Sequence, residues 1–363
     1  MKPALGTRGG PASWRRAAEG AAVALAKRGF GDARWSFLYG EDTEYAERAD
    51  GPVAEAARRM RGGDQVPTAV QGPVIHPAVW TWEIPLYFWL GGIASGSSFV
   101  AAAADAVDDH QSASIARKVT LAAVTPAPVL LILDLGRSER FLNMLRIFKP
   151  RSPMSMGAWC LSVFSILAGG AVGAEVIGRE RLARRLGVGT AFFGTYLGSY
   201  AGVLLASTAV PVWARSRLFL GPIFIATATA TGAATNRLVL YATGMRIGHP
   251  TRDALGTVEM LAMGSELALS TYNEKRLGRL GEALREGNAG KLFKAAKWGV
   301  RTGLALRLAR KRGGVWTHHV ASLLYIFSGL AFRFAWLGAG RNSANDDEAV
   351  AIAARRPVRV ERA

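Results

Sequence analysis

Residues 129–159 read VLLILDLGRSERFLNMLRIFKPRSPMSMGAW and separate two apolar runs of bilayer length. The first run ends in Asp134-Leu135-Gly136-Arg137, a basic amphipathic connector follows, and Pro153-Met154 opens the second run. A carboxylate and several guanidinium groups at the end of a membrane helix are costly unless they pair. The stretch therefore predicts a short connector that holds ions where two transmembrane helices meet the membrane surface.

The connector also has a simpler interpretation, a loop that its positive charge keeps on the cytoplasmic side of the membrane. Its basic residues are Arg137, Arg140, Arg146, Lys149 and Arg151. That interpretation accounts for the number of charges. It does not account for an aspartate placed three residues before an arginine at the end of a helix.

The chain of 363 residues is half hydrophobic, and its apolar residues are unevenly distributed. From about residue 87 to 240 they form long runs with charges confined to the gaps, whereas both ends of the chain are polar. This pattern predicts an all-α, polytopic transmembrane bundle of about seven to eight spans. We expect a polar extension over 1–79 that could dock a partner, a helical domain over 80–340, and a polar tail over 341–363.

The formal net charge of +18 raises the possibility of nucleic-acid binding. The basic residues fall between apolar runs rather than on one folded face, so we reject that class. Anionic lipid headgroups and the charge bias of membrane insertion explain them better. Membrane lipid is the expected partner, and nucleic acid is not.

Metal-ligating residues are scarce in this chain. It has one cysteine, Cys160, inside an apolar run, and none of its five histidines lies in the middle of a predicted span. Iron–sulfur clusters need several thiolates, c-type haem needs Cys-x-x-Cys-His, and b haem needs histidines on facing helices. We therefore expect no haem, no iron–sulfur cluster and no other metal in this chain.

Six apolar segments are predicted to span the membrane. They cover approximately residues 83–104, 115–135, 154–176, 186–210, 218–240 and 315–337. Pro126 and Pro128 should bend the second span, and Gly92-x-x-x-Gly96 gives the first a small-residue face for close helix approach. Arg333, near the end of the last span, is expected to extend to the headgroups rather than to be buried.

Two pairs of polar residues stand out within or near these spans. Tyr196 and Tyr200 are one helical turn apart and share a face, and their hydroxyls need partners on another helix or on a quinone carbonyl. Glu259 and Glu266 are two turns apart and also share a face. A soluble amphipathic helix explains the two glutamates simply, but in a membrane-embedded helix over 255–269 they become candidate proton carriers. The basic segment 270–312 favours an interfacial helix.

Three motifs resemble the polysulfide reductase membrane-subunit family, the NrfD-like proteins. Residues 133–159 contain Leu-Asp-Leu-Gly-Arg, then Arg-Phe-Leu, then Ser-Pro-Met-Ser-x-Gly-Ala-Trp. Residues 87–92 match a Tyr-x-x-x-Gly-Gly pattern, and residues 200–205 read Tyr-x-Gly-x-Leu-Leu before Pro-x-Trp. Members of the family commonly have eight helices, and the seventh is expected to be eroded or missing here.

The resemblance implies a quinone- or quinol-interacting anchor subunit of a respiratory oxidoreductase complex, without catalytic activity of its own, in the inner membrane of a prokaryote. It implies menaquinone or ubiquinone as the bound substrate. It also implies a ferredoxin-like iron–sulfur partner subunit and a larger, molybdopterin-type catalytic subunit. Because no haem is expected in this chain, electrons would pass directly between the quinone and a cluster in the partner.

For this function we predict two sets of site residues and no metal ligands. The quinone-binding residues are Tyr87, Tyr196, Tyr200 and Arg137, and the proton-relay residues are Asp134, Glu83, Glu259 and Glu266. One alternative is an anchor that only tethers the complex. The other is a transporter, which would favour internal repeats, and none is visible between 83–176 and 186–271.

Overall fold

The computed structural model describes residues 46–48, 68–70, 75–134, 141–246 and 248–354. The chain divides into two compact units, residues 1–74 and 75–363. In the first unit, strand β1 (Ala46–Arg48) pairs antiparallel with strand β2 (Thr68–Val70). Most of the predicted N-terminal extension, 1–79, lies outside the described residues.

The second unit is all-α, which confirms the predicted fold class. Its helices are α1 (Glu83–Ala106), α2 (His110–Val124), α3 (Ala127–Asp134), α4 (Phe141–Arg146), α5 (Pro153–Val176), α6 (Glu180–Ala206), α7 (Pro211–Arg215), α8 (Arg217–Ala242), α9 (Pro250–Leu277), α10 (Gly287–Leu308), α11 (Arg310–Ala344) and α12 (Asp347–Ala354). A 3-10 helix, Gly278–Leu284, connects α9 to α10.

Six segments of the described residues are long and apolar enough to cross a membrane. They are Glu83–Ala106, His110–Asp134, Pro153–Val176, Glu180–Ala206, Arg217–Ala242 and Trp316–Ala344. Each corresponds to one of the six predicted apolar spans. Helices α9 and α10, of 28 and 22 residues, are as long but more polar. The segment expected to hold an eroded helix is therefore helical over the whole of α10.

The long helices form two four-helix rings. The first ring consists of α1, α2 with its continuation α3, α5 and α6, and the second consists of α8, α9, α10 and α11. Helices α1 and α6 of the first ring pack on α8 of the second. Successive long helices run in opposite directions. We call the end of the bundle where α1 begins the Glu83 end, and the end where α1 finishes the Asp105 end.

The seam between the rings is formed by α1 and α8, whose backbones touch. A Cβ atom at Gly96 would lie 2.1 Å from the carbonyl oxygen of Ala228, and one at Gly232 would lie 2.4 Å from the carbonyl carbon of Gly96. Only glycine leaves room for this approach, which matches the small-residue face predicted for the first span.

Proline and serine set the local boundaries around the connector. Helix α2 ends at Val124 and α3 begins at Ala127, so the second span is interrupted at Pro126, as predicted. At the far side, the Ser152 hydroxyl accepts a hydrogen bond from the Ser155 backbone N–H at 3.4 Å, and Pro153 is the first residue of α5. Both features favour the start of a helix at this position.

Candidate functional site

Three tyrosines and the cysteine lie together inside the first ring. We call Tyr87 on α1, Cys160 on α5, and Tyr196 and Tyr200 on α6 the phenol cluster. Tyr87 and Tyr200 are 3% and 5% exposed, and Tyr196 is half-buried. The rings of Tyr196 and Tyr200 have centroids 5.9 Å apart, and all four groups are close enough to interact electrostatically.

A glycine of the connector motif makes room for Tyr200. A Cβ atom at Gly157 would lie 2.0 Å from Cζ of Tyr200, so the phenol ring packs directly on the backbone of α5. Gly157 belongs to the Ser-Pro-Met-Ser-x-Gly-Ala-Trp motif, and Tyr200 opens the Tyr-x-Gly-x-Leu-Leu motif. Two of the three motifs noted in the sequence therefore meet at one contact.

The phenol cluster lies close to the Glu83 end of the bundle. Tyr87 is four residues into α1, Gly157 is four residues into α5, and Tyr200 is six residues before the end of α6. At a rise of 1.5 Å per residue, these positions are about 6–9 Å below the helix ends. The hydroxyl groups are thus within the apolar layer but near its surface.

The phenol hydroxyls are available for a ligand. Within the described residues, no hydrogen bond engages the hydroxyl of Tyr87, Tyr196 or Tyr200. Their surroundings are apolar, with Phe88, Leu161 and Leu197 in the same core cluster. A buried phenol usually finds a hydrogen-bond partner, so these hydroxyls can accept or donate to a polar group brought by a substrate.

Two carboxylates lie at the helix ends beside the cluster. The backbone N–H of Thr81 donates a hydrogen bond to Asp134 Oδ1 at 3.4 Å, and the hydroxyl of Thr81 donates to Glu83. Glu83 and Tyr87 are one turn apart on α1 and so share a face. The structure thus brings Asp134, Glu83 and Tyr87 into one neighbourhood. Arg137, the predicted partner of Asp134, lies outside the described residues.

The other two predicted relay residues, Glu259 and Glu266, lie in the second ring and not in the phenol cluster. Glu259 is fully buried. Its Oε2 atom lies 3.7 Å from Arg237 Nη1 and 3.4 Å from Arg307 Nη2, and the hydroxyl of Ser322 donates to Oε1 at 3.0 Å. Helices α8, α10 and α11 therefore all contribute partners to this carboxylate.

Glu266 is 4% exposed and borders a small cavity in the second ring. It interacts electrostatically with Lys297 and Arg333, while its Oε1 atom has no hydrogen-bond partner within the described residues. The expectation that Arg333 extends to the headgroups is wrong. Arg333 is 3% exposed, its guanidinium lies 3.9 Å from the centroid of the Phe224 ring, and it donates to the Phe224 carbonyl at 3.3 Å.

Sequence reasoning missed the cations that surround Glu259. Arg237, Arg252 and Arg307 are 2%, 0% and 6% exposed. One signal was available in α9, where Arg252, Glu259, Glu266 and Asn273 recur at intervals of seven residues and are all buried. Arg237 and Arg307 carry no comparable pattern, because only the packing of helices reveals their partner.

A second ionic network closes the Asp105 end of the first ring. Arg117 Nη1 lies 2.6 Å from Asp105 Oδ2, and Arg117 Nε lies 2.8 Å from Glu175 Oε2. Nearby, Asp109 accepts hydrogen bonds from the Ser112 N–H and the Thr251 hydroxyl. Burial alone would raise the pKa of Asp109, but these hydrogen bonds hold the pKa below its ordinary value. Asp109 thereby ties the first ring to the start of α9.

Comparison with known proteins places the helical unit in a family. The family model described as Polysulphide reductase, NrfD matches residues 74–342. No curated protein matches the chain. Within the described residues, no group of three or more histidine, cysteine, aspartate or glutamate side chains is arranged to hold a metal ion.

Proposed function

Because this chain belongs to the polysulphide reductase NrfD family, we propose that it is the quinone-binding membrane subunit of a respiratory oxidoreductase complex in the inner membrane of a prokaryote. Membership of the family makes it a membrane subunit of polysulphide reductase-like complexes. The proposal adds where the quinone binds, how protons leave it and which partner takes the electrons.

The phenol cluster is the observation that carries the proposal. Tyr87 and Tyr200 are buried near the Glu83 end of the bundle, and no hydrogen bond engages their hydroxyls within the described residues. Two small cavities within the described residues lie elsewhere, beside Arg117 and beside Glu266. A menaquinone or ubiquinone headgroup would therefore approach from the lipid side, past the half-buried Tyr196, and accept hydrogen bonds at its carbonyl oxygens.

Oxidation of a quinol releases two protons together with two electrons, so groups that accept protons must lie near the carbonyl oxygens. Tyr200 or Tyr87 holds a carbonyl oxygen in this proposal. Glu83, one turn from Tyr87 on α1, and Asp134, at the end of α3, pass the protons to the aqueous surface. Arg137, which follows Asp134 by three residues, pairs with it in this proposal.

The electrons leave or enter at the same end of the bundle. The phenol cluster is about 6–9 Å below the helix ends there. We propose that a ferredoxin-like iron–sulfur subunit docks at the Glu83 end and exchanges electrons with the quinone. A larger catalytic subunit of the molybdopterin type would complete the complex. The short depth supports this arrangement because it leaves little protein between the quinone and the docking face.

The test compares three variants of the purified complex in oxidation of a quinol analogue. Tyr200→Phe should lower turnover by roughly 10²-fold, the scale of losing one preorganised hydrogen-bonding group at a reacting oxygen. Asp134→Asn should lower it by a factor of at least about 10², the scale of losing a group that accepts a proton in the reaction. Tyr272→Phe is the matched control, because Tyr272 is 61% exposed on α9 and should leave turnover unchanged.

Assembly of each complex is checked by co-purification of the partner subunits. Unchanged turnover in both Tyr200→Phe and Asp134→Asn, with the complex assembled, would refute the quinone site. It would favour the alternative that the chain only tethers the complex.

A further inference from the structure

Helix α10 carries two rows of residues with the same spacing on opposite sides. The inner row consists of six buried residues, Ala289, Phe293, Ala296, Val300, Gly303 and Arg307. The outer row consists of six exposed residues, Lys291, Lys294, Trp298, Arg301, Ala305 and Leu308. In both rows the intervals alternate between three and four residues, which is the spacing at which two helices pack side by side.

The inner row packs on α11 along most of the length of α10. A Cβ atom at Gly303 would lie 2.5 Å from Cε1 of Tyr325, and one at Gly338 would lie 3.0 Å from Cβ of Ala289. The contacts follow opposite orders along the two helices, so α10 and α11 are antiparallel. The inner row therefore shows that three-and-four spacing on α10 marks a real helix–helix contact.

Trp298 of the outer row lies near the middle of a membrane-crossing segment. The next residue, Gly299, meets α11 at Ser328, because a Cβ atom there would overlap Ser328 Oγ. Ser328 is 12 residues after Trp316 and 16 before Ala344, the ends of the candidate span in α11. The outer row thus extends to both sides of the centre of the hydrocarbon layer.

The outer row differs from the outward surfaces of other helices at this depth. Near their middles, α6 and α11 present Phe192 and Phe327, which are 70% and 61% exposed and suit acyl chains. Helix α10 instead presents Lys294 and Arg301, about 6 Å and 5 Å along its axis from Trp298. Charge is costly in hydrocarbon, and tryptophan favours the membrane–water interface. The outer row is therefore poorly suited to face lipid tails.

The inward cations of α10 show how this bundle accommodates such charges. Arg307 Nη2 lies 3.4 Å from Glu259 Oε2, and Lys297 Nζ lies 2.6 Å from Glu274 Oε1. Both carboxylates belong to the neighbouring helix α9. Within the described residues, no carboxylate pairs with a cation of the outer row. By the same physics, the outer row needs carboxylates that another molecule supplies.

A second copy of this chain does not meet that need. Two copies have the same orientation in a membrane, and a two-fold axis along the membrane normal would place Lys294 of one opposite Lys294 of the other. Like charges would then face each other in a medium of low dielectric constant, where their repulsion is strong. Charge complementarity therefore favours a different, acidic partner.

Lipid headgroups fit the outer row less well than a helix does. Phosphates lie at the membrane surface, about 15 Å from the centre of the hydrocarbon layer. Lysine and arginine can extend toward them, but Trp298 would remain against acyl chains. Lipid also gives no reason for the spacing of the outer row, whereas a partner helix does.

We propose that the outer row packs against one membrane-spanning helix of another subunit of the complex, and that this helix carries two carboxylates seven residues apart, which pair with Lys294 and Arg301. Seven residues are two helical turns, so both carboxylates face α10 whether the helix runs parallel or antiparallel to it. Trp298 packs between the two ion pairs. This interface is beside the bundle and not at its Glu83 end, and it does not depend on the proposed quinone site.

The first test replaces Trp298 by the photoreactive residue p-benzoylphenylalanine in the full complex. Illumination of native membranes is followed by purification and by sequencing of the cross-linked peptide by mass spectrometry. The expected peptide is a membrane span of another subunit with two acidic residues seven positions apart. The same photoreactive residue in place of Phe192, 70% exposed on α6, is the control and should not label that peptide.

The second test reverses the charges of the outer row. Lys294→Glu combined with Arg301→Glu should raise the dissociation constant of the partner by at least about 30-fold, so the subunit is lost when the complex is diluted in detergent. Changing the two acidic residues of the partner to lysine should restore it, which a misfolded chain would not allow. Arg181→Glu combined with Arg185→Glu makes the same charge change on exposed residues of α6 and should retain the subunit.

Several results would overturn the inference. They are a Trp298 cross-link to lipid only, to this chain or to a span without the two acidic residues, a doubly reversed complex that retains the subunit, and a lost subunit that the exchanged charges do not restore. Failure of the quinone site is distinguishable, because it would appear as turnover that Tyr200→Phe leaves unchanged. Cross-linking and subunit retention do not depend on turnover.

Discussion

The two four-helix rings bury polar groups in different ways. The first ring keeps its ions at its ends, with Glu83 and Asp134 at one and Arg117 with its carboxylates at the other. The second ring buries ions along its whole length, from Arg252 through Glu259 to Glu266. The interior of the first ring is therefore apolar around the phenol cluster, whereas the interior of the second ring is ionic around Glu259.

The largest expected loss of stability comes from removing the charge of Glu259, the carboxylate that the buried cations of the second ring share. Glu259→Gln leaves Arg237 and Arg307 without their buried counter-charge, and removing one partner of a buried ion pair costs about 3–5 kcal/mol. We expect this loss in the free energy of unfolding of the purified protein in detergent. Tyr272→Phe, at a position 61% exposed on the same helix, is the control and should change stability little. A Glu259→Gln protein as stable as wild type would mean that the ring tolerates unpaired cations.

Removing the charge of a carboxylate in the first ring should lower the free energy of unfolding by less. In Asp105→Asn, Arg117 loses one partner but keeps Glu175, which lies 2.8 Å from its Nε atom. The expected loss is about 1.5–3 kcal/mol, the value of a hydrogen bond to a charged group. The same unfolding measurement compares the two variants directly. If Asp105→Asn proved the more damaging, the contrast between terminal and internal ions would be wrong.

The smallest effect concerns the residue that joins the rings. Asp109→Ala removes the cap of α2 and the hydrogen bond from Thr251, and should cost about 0.5–2 kcal/mol. Because the folded pKa of Asp109 is lowered, its contribution is complete above the ordinary aspartate pKa and is lost as the pH falls through the folded pKa. Stability measured against pH should therefore fall in acid for wild type. Asp109→Asn should retain the cap but lose this part of the pH dependence, and an identical pH profile in that variant would contradict the prediction.

The sequence predicted the apolar helices well, because hydropathy alone defines them. The six apolar spans, the interruption at Pro126 and the close approach at Gly96 all follow from composition and spacing. Helix α9 was expected as a short span over 255–269 but covers Pro250–Leu277. The buried face of α9 is ionic, which lowers the mean hydropathy of the helix. Mean hydropathy therefore does not reveal that α9 belongs to the interior of the bundle.

The candidate site was only partly predictable. The shared face of Tyr196 and Tyr200 follows from their spacing, but the meeting of Tyr200 with Gly157 requires two helices to be packed. Arg333 was misjudged because its position near the end of an apolar span suggests the headgroups, whereas the ring of Phe224 and the field of Glu266 hold it inside. Residue spacing within one helix shows a common face, and it does not show which neighbour that face meets.

The contact of the α1 and α8 backbones at Gly96 and Gly232 has a consequence for communication between the rings. No side chains separate the two helices there, so the rings cannot tilt or slide without parting and losing close-packed contacts. Rocking of one ring against the other would therefore cost packing energy at that seam. Arg333 of the second ring lies at the same seam, with Nη2 3.4 Å from the Cβ position of Gly92 on α1, so a shift of α1 would also displace the charge that interacts with Glu266.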